Sequence, residues 1–360
     1  MTTIRDVARV AGVSIATVSR VFNGSTRVSD STRERVWSVT ENLDYWPNSA
    51  ARTLTTNRTQ TLGVLLPDLC GEFFSEVIRG IDLAAREESY QILVSSSHST
   101  PEALVSGAKL MRGRVDGLIM MATDVGSEDD IRQICQRFQV ILLNPRHASS
   151  SNGSIAVANF DGAFAAVEHL IRLGHRTIAM VKGPPGNGDA EERLRGYRTA
   201  FDVNGLRHEP RLELPGNFRE SSGYDAVMAL AALDSRPSAF FAANDKMATG
   251  VLSGLGVLGL HVPRDVAVVG FDDIGIARYL DPPLTTVRVD AFDLGKRGVL
   301  QLLAQLRSPD DASRRQEVLS ATLVVRQSCG AHTRNTLDMQ RSEGHSHPGR
   351  SGNDSGRSNP

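Results

Sequence analysis

Residues 4–21 read Ile4-Arg5-Asp6-Val7-Ala8-Arg9-Val10-Ala11-Gly12-Val13-Ser14-Ile15-Ala16-Thr17-Val18-Ser19-Arg20-Val21. Ile4, Val7, Ala8 and Ala11 recur at the spacing that places them on one face of a helix. Gly12 falls where a tight turn between two helices needs a permissive backbone, and the small Ala8 lets a second helix approach closely. Val13, Val18 and Val21 then face back onto the first helix, leaving Ile15, Ala16, Thr17, Ser19 and Arg20 outward. Thr3 and Asp6 make a capping box for the first helix, Ser14 caps the second, and Ser29 is expected to cap a third. In such a helical pair the start of the second helix can meet base edges in the major groove. Ile15 and Ala16 fit thymine methyls, and Arg20 suits a bidentate contact to guanine. The hydroxyls of Thr3, Ser14, Thr17 and Ser19, with Asn23 just beyond, suit phosphates and groove edges.

The charge distribution agrees with a small anion-binding module joined to something else. The 360-residue chain has a formal charge of only −1. Residues 1–60, however, carry eight Arg, no Lys and five acids, a balance of +3, whereas residues 61–330 carry 28 bases and 33 acids. With 40% apolar residues the chain can bury real cores, and its length points to more than one domain. Cys70, Cys135 and Cys329 are odd in number and far apart, which gives no support to a disulfide framework or a zinc site. No apolar run reaches membrane-spanning length and the first residues lack a signal-peptide pattern, so a cytoplasmic protein is expected.

Four zones follow from composition. Residues 1–46 read as three short helices, and 47–60 as a polar linker with a short helical core at 48–54. From 61 to 330, apolar runs alternate with amphipathic stretches. Strands are predicted over 62–66, 91–95, 117–121, 140–143, 155–157, 178–181, 239–242 and 266–269. Helices are predicted over 72–88, 160–173, 191–203 and 224–233. Continuous apolar strands between helices indicate an α/β fold with parallel sheets covered on both faces, here as two doubly wound lobes. Residues 331–360 hold too few apolar side chains to order themselves and read as a disordered tail, despite His332, His345 and His347.

The stretch from Thr3 to Gly24 closely resembles the headpiece of the lactose-repressor (LacI/GalR) family of bacterial transcription regulators. Val28 to Arg35 resembles that family's third helix, and Tyr45-x-Pro47-Asn48-x-Ala50-Ala51-Arg52-x-Leu54 its hinge. The similarity continues through Phe73-Phe74, Arg193-Leu194-x-Gly196-Tyr197, Ala243-Asn244-Asp245, Val269-Gly270-Phe271-Asp272-Asp273 and Pro283-Leu284-Thr285-Thr286-Val287, and spans about residues 1–330. It implies an N-terminal helix-turn-helix headpiece on a two-lobed, periplasmic-binding-protein-like body. It further implies a homodimer that binds a pseudo-palindromic double-stranded operator and answers to a small effector, a sugar being expected, with repression the expected outcome. In the family, paired hinge helices enter the minor groove and a leucine wedges between base pairs. Leu54 holds that position here, Asn48 can cap the hinge helix, and Ala50 and Ala51 are small enough for two such helices to pack.

Side chains should converge on the crevice at the carboxyl ends of the strands. The resemblance puts Phe73, Phe74, Asn144, Arg193, Phe218, Asn244 and Asp272 there, where ring faces with Arg, Asn and Asp suit a sugar or a nucleoside. Relatives that bind pentoses commonly carry polar residues where this chain has Gly71, Asn144-Pro145 and Val289, which counts against ribose-like recognition. The glycine-rich run Gly183-Pro184-Pro185-Gly186-Asn187-Gly188 lacks a phosphate-loop pattern and reads as a flexible loop beside the pocket. His169 and His175 do not share a helix face for a metal, and no catalytic motif is present, so neither cofactor nor enzymatic activity is expected. The other class open to this sequence is a cytosolic small-molecule-binding protein without DNA activity.

Overall fold

The computed structural model describes residues 2–22, 24–46, 58–122, 128–146, 153–231, 236–308 and 315–331. The N-terminal unit has three helices, α1 (Ile4–Val10), α2 (Ile15–Phe22) and α3 (Asp30–Asn42). The Thr3 N–H and hydroxyl both donate to the Asp6 carboxylate, at 3.0 and 2.7 Å, which fixes the start of α1. Gly12 adopts φ +64°, the left-handed backbone that the α1–α2 turn requires. The Ser14 hydroxyl accepts the Thr17 N–H at 3.1 Å, as a cap should. Ser29 stands at the start of α3, but its hydroxyl is donated to Thr32 Oγ1 at 2.9 Å, so the side-chain cap expected there is not formed. Val7, Ala8, Ala11, Val18, Val21, Val28 and Val36 make the core of the unit.

The body contains two six-stranded sheets, each with helices on both faces. The first runs β11-β5-β4-β3-β1-β2, from β1 (Thr61–Leu66), β2 (Gln91–Ser96), β3 (Gly117–Met121), β4 (Val140–Leu143), β5 (Gly153–Val157) and β11 (Gln316–Leu319). The second runs β12-β10-β9-β8-β6-β7, from β6 (Ile178–Val181), β7 (Glu213–Leu214), β8 (Ala239–Ala242), β9 (Ala267–Asp272), β10 (Thr285–Val289) and β12 (Ala321–Val324). The inner strands read as unbroken apolar runs because helices cover both their faces. In the first lobe these are α4 (Glu72–Glu87), α5 (Pro101–Met111) and α6 (Glu128–Cys135). In the second they are α7 (Asn159–Arg172), α8 (Gly188–Val203), α9 (Glu220–Ala231) and α10 (Asp245–Val257). The remaining helix, α11 (Ala291–Arg307), packs on α4 and on β3, β4 and β5. Gly80 and Gly295 let α4 and α11 touch backbone to backbone, since a Cβ on either would lie about 2 Å from a carbonyl oxygen of the other helix.

The chain crosses between lobes three times: between β5 and α7, between β10 and α11, and at Ser320 between β11 and β12. The Ala158 N–H donates to the Leu319 carbonyl at 2.9 Å, setting two crossings side by side. Strand β12 enters the second sheet by a crossing rather than through a helix, and it runs antiparallel to β10, where parallel sheets were expected. The predicted strands and helices are otherwise present, with ends within a few residues. The hinge helix at 48–54 and the tail at 332–360 lie outside the described residues.

Candidate effector cavity and DNA-binding face

Between the lobes lies a cavity of about 380 Å³, within the size range of small-molecule sites. The loop after β1 and the first turn of α4 supply Pro67, Asp68 and Cys70 to Phe74, joined from the first lobe by Ser99 and Met121. The second lobe supplies Pro184, Asn187, Asp189 and Arg193, the run Asn217 to Glu220, then Asn244, Lys246, Asp272 and Ile274. Both lobes therefore present the carboxyl ends of their strands to one space, as doubly wound sheets do.

Arg193 dominates the second-lobe wall. Its side chain is 6% exposed, and its guanidinium donates to Asn159 Oδ1 at 2.8 Å and to the Ala243 carbonyl. It also lies 3.4 Å from the Asp272 carboxylate and stacks 3.8 Å over the Phe271 ring. A planar, always-charged fork held in this way has donors aimed in fixed directions. Asp272 leaves β9 with φ +107°, a conformation rare for a side-chain-bearing residue, and this turns its carboxylate toward Arg193. Burial pushes the Asp272 carboxyl up to about 6, against the opposing pull of Arg193, and the nearby Asp189 raises it further. The adjacent Asp273 is clamped by Arg288 at 2.7 Å and Arg326 at 2.6 Å, which braces the turn.

The sequence-named residues divide by role. Phe73, Phe74, Arg193, Phe218, Asn244 and Asp272 all border the cavity. Phe73 and Phe74 meet edge to face with ring centroids 5.5 Å apart, so both reach it despite being adjacent on α4. Asn244 caps α10 by accepting the Met247 N–H at 2.9 Å and donates to the Phe218 carbonyl at 3.1 Å, which commits much of its amide to the loop. Asn144 is buried outside the lining. Its amide donates to Asp189 at 3.1 Å and accepts the Val157 N–H at 2.8 Å. Sequence reasoning did not single out Asp189 or Asn159. The readable signal was Asn187, which caps α8 through the Ala190 N–H at 2.9 Å and so places Asp189 in the first turn beside the pocket. Of the glycine-rich loop, Pro184 and Asn187 line the cavity. Among the described residues no cluster of three or more His, Cys, Asp or Glu could hold a metal ion. His169 Nε2 contacts Cys329 Sγ at 3.3 Å, and burial lowers its pKa.

On the N-terminal unit, Ser14, Ile15, Ala16 and Arg20 are exposed, with Ile15 45% accessible. Thr17 and Ser19 lie half-buried beside them, and the Thr17 hydroxyl sits 2.9 Å from that of Ser14. An exposed isoleucine next to hydroxyls and an arginine is a surface suited to base edges and phosphates. Asn23, Asn48, Ala51 and Leu54 lie outside the described residues.

A helix-turn-helix unit carried by a two-lobed, cavity-bearing body defines a ligand-responsive DNA-binding regulator. Residues 3–48 match the model of the bacterial regulatory proteins, lacI family, and residues 167–329 that of a periplasmic binding protein-like domain. The chain is 32% identical over 329 residues to the ribose operon repressor of Haemophilus influenzae, covering 91% of this chain and 98% of that protein. It is 30% identical over 332 residues to the transcriptional repressor PurR of Haemophilus influenzae, covering 91% and 98%. Among solved structures, the lac repressor dimer bound to operator and an anti-inducer superposes with a TM-score of 0.82 at 31% identity, covering 91% of this chain and 99% of that one. The chain belongs to the LacI family and is a DNA-binding transcription regulator. No described helix is long and apolar enough to cross a membrane.

Proposed function

We propose that the chain represses transcription as a cytoplasmic homodimer on a pseudo-palindromic operator, and that a sugar in the cavity between the lobes sets its DNA affinity. Residues 1–46 are the DNA-reading headpiece, 47–60 the hinge, 61–330 the effector and dimerisation body, and 331–360 a tail. Thr3, Ser14, Thr17, Ser19, Asn23 and Asn48 take the backbone and groove edges. Ile15, Ala16 and Arg20 read bases, and Ala51 and Leu54 act in the minor groove. In the cavity Arg193 and Asp272 hold ligand hydroxyls while Phe73, Phe74 and Phe218 cover apolar ring faces.

The observation that carries this reading is the buried Arg193–Asp272 pair, aimed into a cavity that both lobes wall. A guanidinium and a carboxylate side by side offer donors and acceptors to vicinal hydroxyls. Five carboxylates (Asp68, Glu72, Asp189, Glu220, Asp272) face three cations (Arg193, Arg219, Lys246) around that space, a balance that favours an uncharged polyol over a sugar phosphate. Aromatic faces beside Arg, Asn and Asp also suit a nucleoside, which is the competing ligand class. Because only three crossings of the chain join the lobes, a ligand touching both shifts their closure and with it the spacing of the two headpieces. The cavity binds its ligand without turning it over. A thermal-shift screen with monosaccharides and nucleosides, followed by operator titration with each hit, tests the proposal. A sugar that raises the melting temperature and changes operator affinity supports it. A purine acting where no sugar does overturns the ligand class.

A further inference from the structure

A hydrogen-bonded chain runs from the cavity wall to the opposite lobe. Arg193 Nε donates to Asn159 Oδ1 at 2.8 Å, and Asn159 Nδ2 donates to Asp189 Oδ1 at 2.8 Å. Asn144 Nδ2, from the first lobe, donates to Asp189 Oδ2 at 3.1 Å, and the Val157 N–H donates to Asn144 Oδ1 at 2.8 Å. The orientation of both amides is forced. A guanidinium and a backbone N–H can only donate, so each takes an amide oxygen, and both NH2 groups turn to Asp189. Arg193, Asn159 and Asn144 are each at most 5% exposed, where an amide that loses its partner is costly. Asn144 sits at φ +46°, which brings its side chain back over β5, and Val157 adjoins the crossing into the second lobe. The chain therefore begins at a residue facing the cavity and ends at the strand that leads into a crossing between the lobes. An exposed ion pair, Arg146 with Glu191 at 3.1 Å, spans the same gap but is screened by solvent.

We propose that Asn144 is a positioning residue that ties the first lobe to Asp189, so that a ligand engaging Arg193 or Asp189 alters the strength of that tie and thereby lobe closure. The inference rests on the cavity being the effector site, and it moves Asn144 from ligand contact to coupling. It predicts that chemistry, not merely packing, is required at positions 144 and 189. Asn144→Asp sets two carboxylates face to face, and Asp189→Asn leaves two amides competing for one acceptor. The exchange of both restores the hydrogen bonds described above. The carboxylate now at position 144 accepts from the Val157 N–H and from the amide now at position 189, whose oxygen accepts from Asn159.

The test uses the full chain without effector, and its first readout is taken without DNA. Cys70 is exposed at the cavity rim, Cys135 is half-buried and Cys329 is buried, so the Cys70 thiol reports lobe opening. Its rate of reaction with an aromatic disulfide reagent, assigned by peptide mapping, should rise several-fold in each single variant. It should return to within twofold of the parent rate in the exchange. Operator affinity should move in the single variants and return in the exchange. An exchange that reacts no more slowly than the single variants, or single variants that change neither readout, overturns the tie. If N144D fails to fold, recovery of folding by the exchange supports it, and failure of the exchange to fold overturns it. A parent protein that binds no operator while the thiol pattern holds refutes the regulator reading and leaves the tie standing.

Discussion

Replacing Asp272 with Asn should stabilise the ligand-free protein while abolishing its response to effector. The folded state raises this carboxyl from the ordinary 3.8 to about 6, with burial as the main cause and Arg193 opposing it. At about 1.4 kcal/mol per tenfold, holding the charge at pH 7 costs the folded state roughly 3 kcal/mol that an amide would not incur. Because the folded pKa is raised, the folded state binds more protons than the unfolded one between about pH 4 and 6. Stability is therefore lost as pH climbs through that window, and the loss is complete above it. The parent and D272N should melt together near pH 4 and diverge through pH 6. Above pH 7 the variant should melt roughly 5 °C higher, since an unfolding entropy of about 2.1 cal/mol/K per residue over the body at 61–330 gives about 1.8 °C per kcal/mol. Calorimetry of both proteins from pH 4 to 8, with a thermal-shift titration of the identified effector at pH 7, measures the two halves. A melting difference that does not vary with pH, or a D272N protein less stable than its parent at pH 7, would refute the reasoning. So would unchanged effector affinity. Sites that hold a desolvated charge for a ligand commonly show this trade of stability for function.

Three further outcomes follow from the DNA-binding face. Arg20→Ala should weaken the preferred operator by roughly tenfold to a hundredfold and relax selectivity at one position in each half-site. Its exposure means that thermal stability should not change, and a fluorescence titration with point-substituted operators would register both effects. Leu54→Ala should weaken operator binding at least about tenfold at fixed salt with the melting curve intact, and undiminished affinity would remove the wedge from the account. Operator affinity should fall roughly a hundredfold or more between 50 and 200 mM salt through counterion release, and a flat dependence would argue against phosphate contacts.

The sequence made the strand ladder legible because fully covered strands must be apolar throughout. The runs at 117–121, 140–143, 178–181 and 239–242 match β3, β4, β6 and β8 residue for residue. Strands β10 and β12 gave no such signal. They lie where the chain changes lobe, so Arg288 and Thr322 stand among apolar neighbours, and the antiparallel pairing depends on the crossing rather than on periodicity. Arg193, Asp272 and the Phe73-Phe74 pair were readable because each stands in a distinctive motif. Asp189 and Asn159 were not, because their roles arise only when α7 and α8 are brought together across 30 residues of chain. The place of Asn144 likewise depends on an acceptor 45 residues away in the other lobe. The Ser29 cap failed on a local competitor, the Thr32 hydroxyl, which propensity alone does not weigh.

The central claim is that one chain reads DNA with its N-terminal helices and alters that reading through the cavity between its lobes. Its most direct measurement is selection of the purified full-length protein against random double-stranded DNA, repeated with the monosaccharide that most raises its melting temperature. The account predicts enrichment of a two-fold symmetric site, and a change of at least about tenfold in affinity for it when that sugar is present. Recovery of no symmetric sequence, or an operator affinity that a bound sugar leaves untouched, would contradict it.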